Sequence, residues 1–416
     1  MQVEAIAGGV RPSRREAMAL LGAAAAAAGT WWPGTAHAAV PRIQAGFTNL
    51  SSDSDRIISY RHQEHLWQTA DGAFHLVMNR GTLTPGPGLC LYSSHDGGTS
   101  WSHQWTFLGT DTDSVSDGQL AGDLLSVLYQ TVTGHLVHQQ LRYDAAGRGW
   151  TVERDEMALV SDATAGINPG MAADALGNLW CCFVARDRIT NDVQLRLLVR
   201  PAGATGWSDT GVVFGPTDRR SIERSGRPVP IAGGMGIVFT VREMTYWAQR
   251  SDTQALDAPW DVTTVFAGTP AFRTTDPYAS HFSVVADDAG SVHLATIEEN
   301  RMLHFTRDAA TGRWSTSGIL LSGTKKLAYG QNCIANGRLM VAWSVQRGFG
   351  NLVESTDGGR SFSETAVLVL PANADGVSYG QARVELPTRC SGPLLALQQY
   401  SDNGVVRLMR FLVPQR

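Results

Sequence analysis

The chain has 416 residues, a formal net charge of −4 and only 17% charged residues. No polyanion-binding surface follows from that balance, so no nucleic-acid partner is expected, although a local basic patch stays open. The length suits one large domain or two ordinary ones, and no Pro/Ser-rich linker divides it.

The chain opens on a targeting segment. Ser13-Arg14-Arg15-Glu16-Ala17-Met18-Ala19-Leu20-Leu21-Gly22 has a twin-arginine pattern, an Ala-rich apolar run follows, and Ala36-His37-Ala38 is a small-x-small cleavage site. Residues 1–38 are therefore expected to be an export signal cut after Ala38, leaving residues 39–416 as a single secreted or periplasmic domain. The apolar run from Ala17 to Gly29 is too short to span a bilayer, so no membrane association is expected once the signal is removed. Five cysteines follow: Cys90, Cys181, Cys182, Cys333 and Cys390. The odd number and the lack of a Cys-x-x-Cys pair argue against a zinc cluster and for buried free thiols in strands. One disulfide stays open, and the sequence does not name its partners.

The mature chain reads as all-β. Short apolar or alternating runs recur between Gly, Asp, Asn and Pro. Examples are Phe74-His75-Leu76-Val77-Met78, Leu124 to Tyr129, Leu179 to Val184, Gly236 to Val241, Val292 to Thr296 and Leu339 to Trp343. Their length and their β-branched and aromatic content fit strands, and no mature segment shows a long helical period. One octapeptide occurs twice, as Ser94-His95-Asp96-Gly97-Gly98-Thr99-Ser100-Trp101 and as Ser355-Thr356-Asp357-Gly358-Gly359-Arg360-Ser361-Phe362. An Asp that can bond the backbone ahead of it, and Gly that supplies positive φ, make this a tight hairpin, and the aromatic pins the turn to its neighbour.

This octapeptide resembles the Asp-box of sialidases and related β-propellers, also called the BNR repeat. Its aromatic recurs at Trp101, Trp150, Trp207, Trp260, Trp314 and Phe362, with gaps of 49, 57, 53, 54 and 48 residues. A period of about fifty residues, with about four strands per unit, implies propeller blades. A second repeated position, ahead of each inner strand, holds Gln63, Gln119, Met171, Arg227, His281, Gln331 and Gln381. The expectation is a seven-bladed β-propeller of four-stranded antiparallel blades, with six blades as the alternative. Val40 to Asn49 would supply the outer strand that the last blade lacks, closing the ring and removing exposed edges. A monomer is expected.

In such a fold the mouth is built by the loops entering the inner strands and by those joining second and third strands, and the octapeptide turns lie on the opposite face. The candidates near the inner position are Arg61, His62, Gln63, Asp117, Gln119, Asn168, Arg224, Arg227, His281, Tyr329, Gln331, Tyr379 and Gln381. The second-to-third-strand loops add Arg242, Tyr246 and Glu298. Water-filling polar residues are common in propeller channels, but Tyr, His and Arg converging in this number exceed what packing needs. His135, His138, His293 and His304 read as structural.

Three functions are compatible with these residues. Similarity to sialidases implies three arginines holding a substrate carboxylate, with Arg61, Arg227 and Arg242 as the set, and a Tyr nucleophile activated by a Glu, for which Tyr379 and Glu298 are available. That family's Arg-Ile-Pro motif is absent; Arg56-Ile57-Ile58 is the nearest match. Seven-bladed lyases of uronic-acid polymers also carry sialidase-like repeats, and they need a His or Tyr base, a proton donor and a cation to stabilise the enolate. A mouth rich in His, Tyr, Gln, Asn and Arg favours this lyase reading, with His281 or His62 as base, Tyr329 or Tyr379 as acid/base partner, and Arg227 or Arg224 neutralising the carboxylate. A non-catalytic glycan-binding propeller is the third reading. No cofactor is expected; the acidic runs Ser51 to Asp55 and Asp111-Thr112-Asp113 offer calcium only a pattern unlike an EF-hand.

Overall fold

The computed structural model describes residues 41–414, apart from 55, 56, 59, 61, 85, 162, 219–223, 242–243, 268–281, 299–300, 323–326, 346–349, 370–383 and 403–404. The predicted export signal lies outside the described residues. All regular structure among the described residues is β, in seven sheets that follow one another along the chain. From the axis outwards, the first sheet is Leu66–Gln68, Phe74–Asn79, Leu89–Ser94 and Ser102–Thr106. The second is Ser116–Ala121, Leu124–Gln130, Leu136–Asp144 and Gly149–Leu159. The third is Thr164–Ala173, Leu179–Asp187, Val193–Arg200 and Ser208–Asp218. The fourth is Arg224–Ile231, Gly234–Val241, Met244–Ser251 and Asp261–Ala267. The fifth is Phe282–Ala286, Val292–Glu298, Arg301–Arg307 and Trp314–Ser322. The sixth carries Leu327–Ala335, Arg338–Val345, Gly350–Ser355 and Ser363–Val369, and the last is Val384–Glu385, Leu394–Asp402, Val405–Val413 and Gly46–Ser52.

This is an all-β propeller of four-stranded antiparallel blades, and its regular four-stranded sheets number six, the count held as the alternative, which corrects the expectation of seven. Six sheets have four strands; the sixth in chain order has six. Arg42–Gln44 pairs in parallel with its outer strand, and Arg389–Cys390 pairs in parallel with its inner strand. The N-terminal strand that completes the last sheet is Gly46–Ser52, antiparallel to Val405–Val413, a few residues beyond the segment expected to do so. The third and fourth strands of that sheet therefore come from opposite ends of the chain. No turn joins them, which is why the sequence carries only six turn aromatics.

Each of those aromatics packs on the preceding sheet. The Trp101 backbone N–H donates to Asn49 Oδ1 at 2.9 Å, and Trp150 Nε1 donates to His75 Nδ1 at 3.2 Å. Trp207 meets the edge of His138 at 5.4 Å, Trp260 meets Trp180 at 5.5 Å, Trp314 meets Trp247 at 5.6 Å and Phe362 meets His304 at 4.8 Å. The apolar core is accordingly a set of clusters between neighbouring sheets, including one that joins Leu395, Leu397 and Leu408 of the last sheet to Leu66, Phe74 and Leu76 of the first. The histidines in these contacts are buried and neutral: burial lowers His75 and His304 to about 3 and also lowers His138 and His293.

The octapeptide turn follows from one carboxylate. Asp96 Oδ1 accepts from the N–H of Thr99 at 3.0 Å and of Ser100 at 2.9 Å, and its Oδ2 accepts from Ser100 Oγ at 2.6 Å. Asp357 repeats the pattern with Arg360 and Ser361. Gly97, Gly98, Gly358 and Gly359 all take positive φ. Burial opposes ionisation of Asp96, but the bonds from Ser100, Ser94 and Thr99 win and hold it down to about 2.

Two outcomes follow from this packing. Trp150→Ala should cost about 3–5 kcal/mol in denaturant unfolding, whereas Asp96→Ala should cost only about 1 kcal/mol because its bonds are exposed. A chain that begins at Ser54, without the closing strand, should lose its single cooperative thermal transition; full-length cooperativity in that truncation would show that closure is dispensable.

Candidate functional site

The inner strand of the first sheet is only Leu66–Gln68, because the residues ahead of it leave the sheet for the axis. Buried Ile57 and Ile58 anchor this segment, and a turn closes from the Gln63 N–H to the Tyr60 carbonyl at 3.1 Å. From there it reaches several other blades. Gln63 Nε2 donates to the Pro169 carbonyl at 2.8 Å in the third sheet, and His62 stacks on Phe282 of the fifth at 5.6 Å. Asn168, at φ 50, forms with Pro169 the bulge that interrupts pairing between Ile167 and Gly170. Residues 62–64 thus stopper the channel.

Charged groups hold the stopper in place. Arg227 on the fourth inner strand pairs with Asp117 of the second and with Glu64 Oε2 at 3.3 Å. Asp117 also accepts the N–H of Glu64 at 2.7 Å and of Met171 at 2.5 Å, so one carboxylate ties three segments together. Both ring nitrogens of His65 face acceptors, Glu385 Oε1 at 3.1 Å and the Ser116 carbonyl at 3.1 Å. Gln331 closes the far side, donating to Glu385 Oε2 at 3.2 Å and accepting the Leu386 N–H at 2.5 Å. All of these side chains are buried. Loss of solvent raises Glu64 to about 7, against the opposing pull of Arg227 and a hydrogen bond from Thr388. Burial also raises Asp117, with Arg227 and the two backbone N–H groups acting the other way.

Below the stopper is a blind pocket of about 190 Å³ lined by Glu64, Trp67, Gln119, Arg227, Thr388 and Arg389 among others. Gln119 also accepts the Ala173 N–H at 2.5 Å, which fixes its amide. The pocket runs towards Gln68, Leu120, Pro230 and Ala286, at the far ends of the inner strands. In an antiparallel blade that end also carries the turn between third and fourth strands, so among the described residues this pocket opens on the octapeptide side. The expectation had put the chemistry at the other end. Pro228 and Pro230 are tolerated here because the inner edge of a blade faces the channel and needs no ladder donor.

The structure brings Arg227, Asp117 and Gln119 together, joins Gln331 to them through Glu385 and His65, and places Gln63, His62 and Asn168 in or against the stopper. Two candidates make contacts of other kinds. Arg224 is buried and donates to the Pro216 carbonyl, and Tyr246 stacks on Phe239 at 5.0 Å. Arg61, Arg242, His281, Tyr379 and Gln381 lie outside the described residues, as do the side chains of Tyr329 and Glu298, whose backbones belong to Leu327–Ala335 and Val292–Glu298. Sequence reasoning missed Glu64, His65, Glu385 and Thr388. The fifty-residue spacing matched Gln331 with Gln381, but the side chain Gln331 contacts is Glu385, 54 residues on.

The raised pKa of Glu64 gives a signed prediction. A carboxyl that binds its proton more tightly when folded adds stability below its unfolded value of about 4.5 and loses it as pH rises through 7. The buried histidines act the other way, losing stability as pH falls below about 6.5. Comparing Glu64→Gln with the parent isolates the carboxyl: the variant should gain in relative Tm between pH 5 and pH 8. A constant difference across that range would show that Glu64 is ionised throughout.

No protein-family model matches the chain, and no curated protein matches it. Among solved structures, a polysaccharide lyase described as an ulvan lyase aligns with TM-score 0.53 at 10% identity, over 91% of this chain and 96% of its own. The same kind of lyase bound to -[GlcA(1-4)Rha3S]- aligns with TM-score 0.50 at 11% identity, with the same coverage of 91% and 96%. Trypanosoma rangeli sialidase aligns with TM-score 0.48 at 12% identity, over 78% of this chain and 58% of its own. At these identities the likeness is one of fold: the chain shares the propeller architecture found in glycan-active proteins.

Proposed function

We propose that this chain is an exported, carbohydrate-active propeller that cleaves an acidic, uronic-acid-containing polysaccharide by β-elimination. The observation that carries the reading is Glu64, whose proton affinity lies near neutrality, beside Arg227 in a pocket on the axis. Elimination needs a base for the proton α to the uronate carboxylate and a cation to stabilise the enolate. Glu64 supplies the first and Arg227 the second, with Arg389 at the mouth for the substrate carboxylate; as the bond to the glycosidic oxygen breaks, the protonated Glu64 carboxyl returns its proton to that departing oxygen. Glycoside hydrolysis by the usual route needs two carboxyl groups flanking the bond. Of the buried acids on the axis among the described residues, only Glu64 lines the pocket; Asp117 and Glu385 are engaged in holding the stopper. The fold shared with a lyase bound to -[GlcA(1-4)Rha3S]- supports the same substrate class.

One observation favours a second placement of the same chemistry, at the leading ends of the inner strands. His62 stacks on Phe282 at the start of the fifth inner strand, within the set of leading ends. In that placement His281 or His62 is the base, and Tyr329 or Tyr379 the acid/base partner.

A panel of uronate polymers, followed by the ultraviolet absorbance of unsaturated products, tests the function. Glu64→Gln should lower kcat by about 10²–10⁴-fold with little change in substrate affinity. If His281→Ala produces that loss and Glu64→Gln does not, the chemistry belongs to the second placement. Release of sugar without unsaturation would mean a hydrolase, and binding without product a glycan-binding propeller.

A further inference from the structure

Cys333 and Cys390 are 57 residues apart in the chain, and their sulfur atoms are 4.0 Å apart. Cys333 is fully buried on the sixth inner strand, and Cys390 is half-buried at a second pocket of about 280 Å³ that shares Gln68 and Arg389 with the first. The backbones that carry them are already paired. Ala335 and Cys390 are parallel partners, the Ile334 N–H donates to the Thr388 carbonyl at 2.8 Å, and the Asn336 N–H donates to the Cys390 carbonyl at 3.1 Å. Cys390 pairs with Ala335 and not with Cys333, so closing the sulfurs from 4.0 Å to the disulfide S–S distance of about 2.05 Å takes a shift of the two-residue strand Arg389–Cys390 together with side-chain rotation. The other thiols have no such partner. Cys181 and Cys182 are consecutive in one strand and enter different clusters, and Cys90 belongs to a third.

We propose that Cys333 and Cys390 form a reversible disulfide that locks the junction between the last two sheets. At that junction the N-terminal strand Arg42–Gln44 pairs with the sixth sheet just before Gly46–Ser52 enters the last, and the junction's inner side is held by the two-residue strand Arg389–Cys390. The same segment presents Thr388 to Glu64 and Arg389 to the axial pocket, so the bond would also fix one wall of that pocket. Cys390 is the attacking sulfur. It is the more accessible of the two, and the hydrogen bond from Cys333 lowers its pKa while burial raises that of Cys333. The oxidant is a small-molecule disulfide. The Cys390 thiolate attacks one of its sulfurs, the S–S bond breaks and one thiol departs with a proton. The Cys333 sulfur then attacks the mixed disulfide at Cys390 and releases the second thiol. Two protein thiols are oxidised by two electrons, and the reagent is reduced to two thiols.

The test equilibrates the full chain with oxidised and reduced glutathione, then counts thiols after denaturation and maps linked peptides. Oxidation should remove two of the five thiols, yield one Cys333–Cys390 peptide and raise Tm by about 5 °C. Cys390→Ser should keep all its remaining thiols. Cys333→Ser, which retains the accessible sulfur, should stop at glutathione on Cys390. Five unreacted thiols in the parent, a stable glutathione adduct on parent Cys390, or a different linked pair would each overturn the proposal.

Discussion

The antiparallel pairing of Gly46–Ser52 with Val405–Val413 is the constraint on which the rest of the molecule depends. An open row of blades would leave an apolar sheet face and unpaired edges at each end. Pairing the two ends of the chain in one sheet buries Leu395, Leu397 and Leu408 against Leu66, Phe74 and Leu76, and sets the blades around a common axis. Closure is non-local in the extreme: Thr48 Oγ1 donates to the Leu408 carbonyl across 360 residues. Its entropic cost is met by an interface as apolar as those between consecutive sheets.

A closed ring leaves a polar channel, and this chain fills it with its own backbone. Departure of residues 62–65 from the first sheet shortens that inner strand and carries Gln63, Glu64 and His65 to the inner strands of other blades. The cluster that receives them puts three carboxyl groups, a guanidinium and an imidazole out of water. Such a group is stable only when every charge is matched, and the match differs among the three acids. Asp117 and Glu385 are surrounded by donors, whereas Glu64 has Arg227, Thr388 and the pocket. The same desolvation that makes the stopper costly to build keeps Glu64 near neutrality, which is the condition for proton transfer. The acid that carries the proposed chemistry is thus a member of the cluster that plugs the ring.

Much of the architecture was legible in the residues because it is written locally. Asp96 and Asp357 with their glycines specify a turn by hydrogen bonds within four residues, and the recurrence of Trp101, Trp150, Trp207, Trp260, Trp314 and Phe362 follows from one packing role repeated between neighbours. His138, His293 and His304, read as structural from their strand context, are buried with that role. The site was less legible. Arg227 and Gln119 were found because they occupy a repeated inner position, and Asp117 because it lies two residues ahead of Gln119. Glu64, His65 and Glu385 were not, because the first and last inner strands depart from the period where the chain leaves the sheet.

The sequence by itself determined an all-β chain of repeated four-stranded units, the hairpins between third and fourth strands, and the need for an N-terminal strand to finish the ring. These depend on side chains near one another in sequence or on a regular spacing, and a repeat exposes both. Only the tertiary structure decided that one sheet is widened on both edges, that Arg224 donates to the Pro216 carbonyl and Tyr246 stacks on Phe239, that Glu64 meets Arg227 across 163 residues, and that Cys333 faces Cys390. Those contacts join segments whose separations obey no period, and the free energy that selects them, burial of charge against matched charge, exists only once the ring has closed.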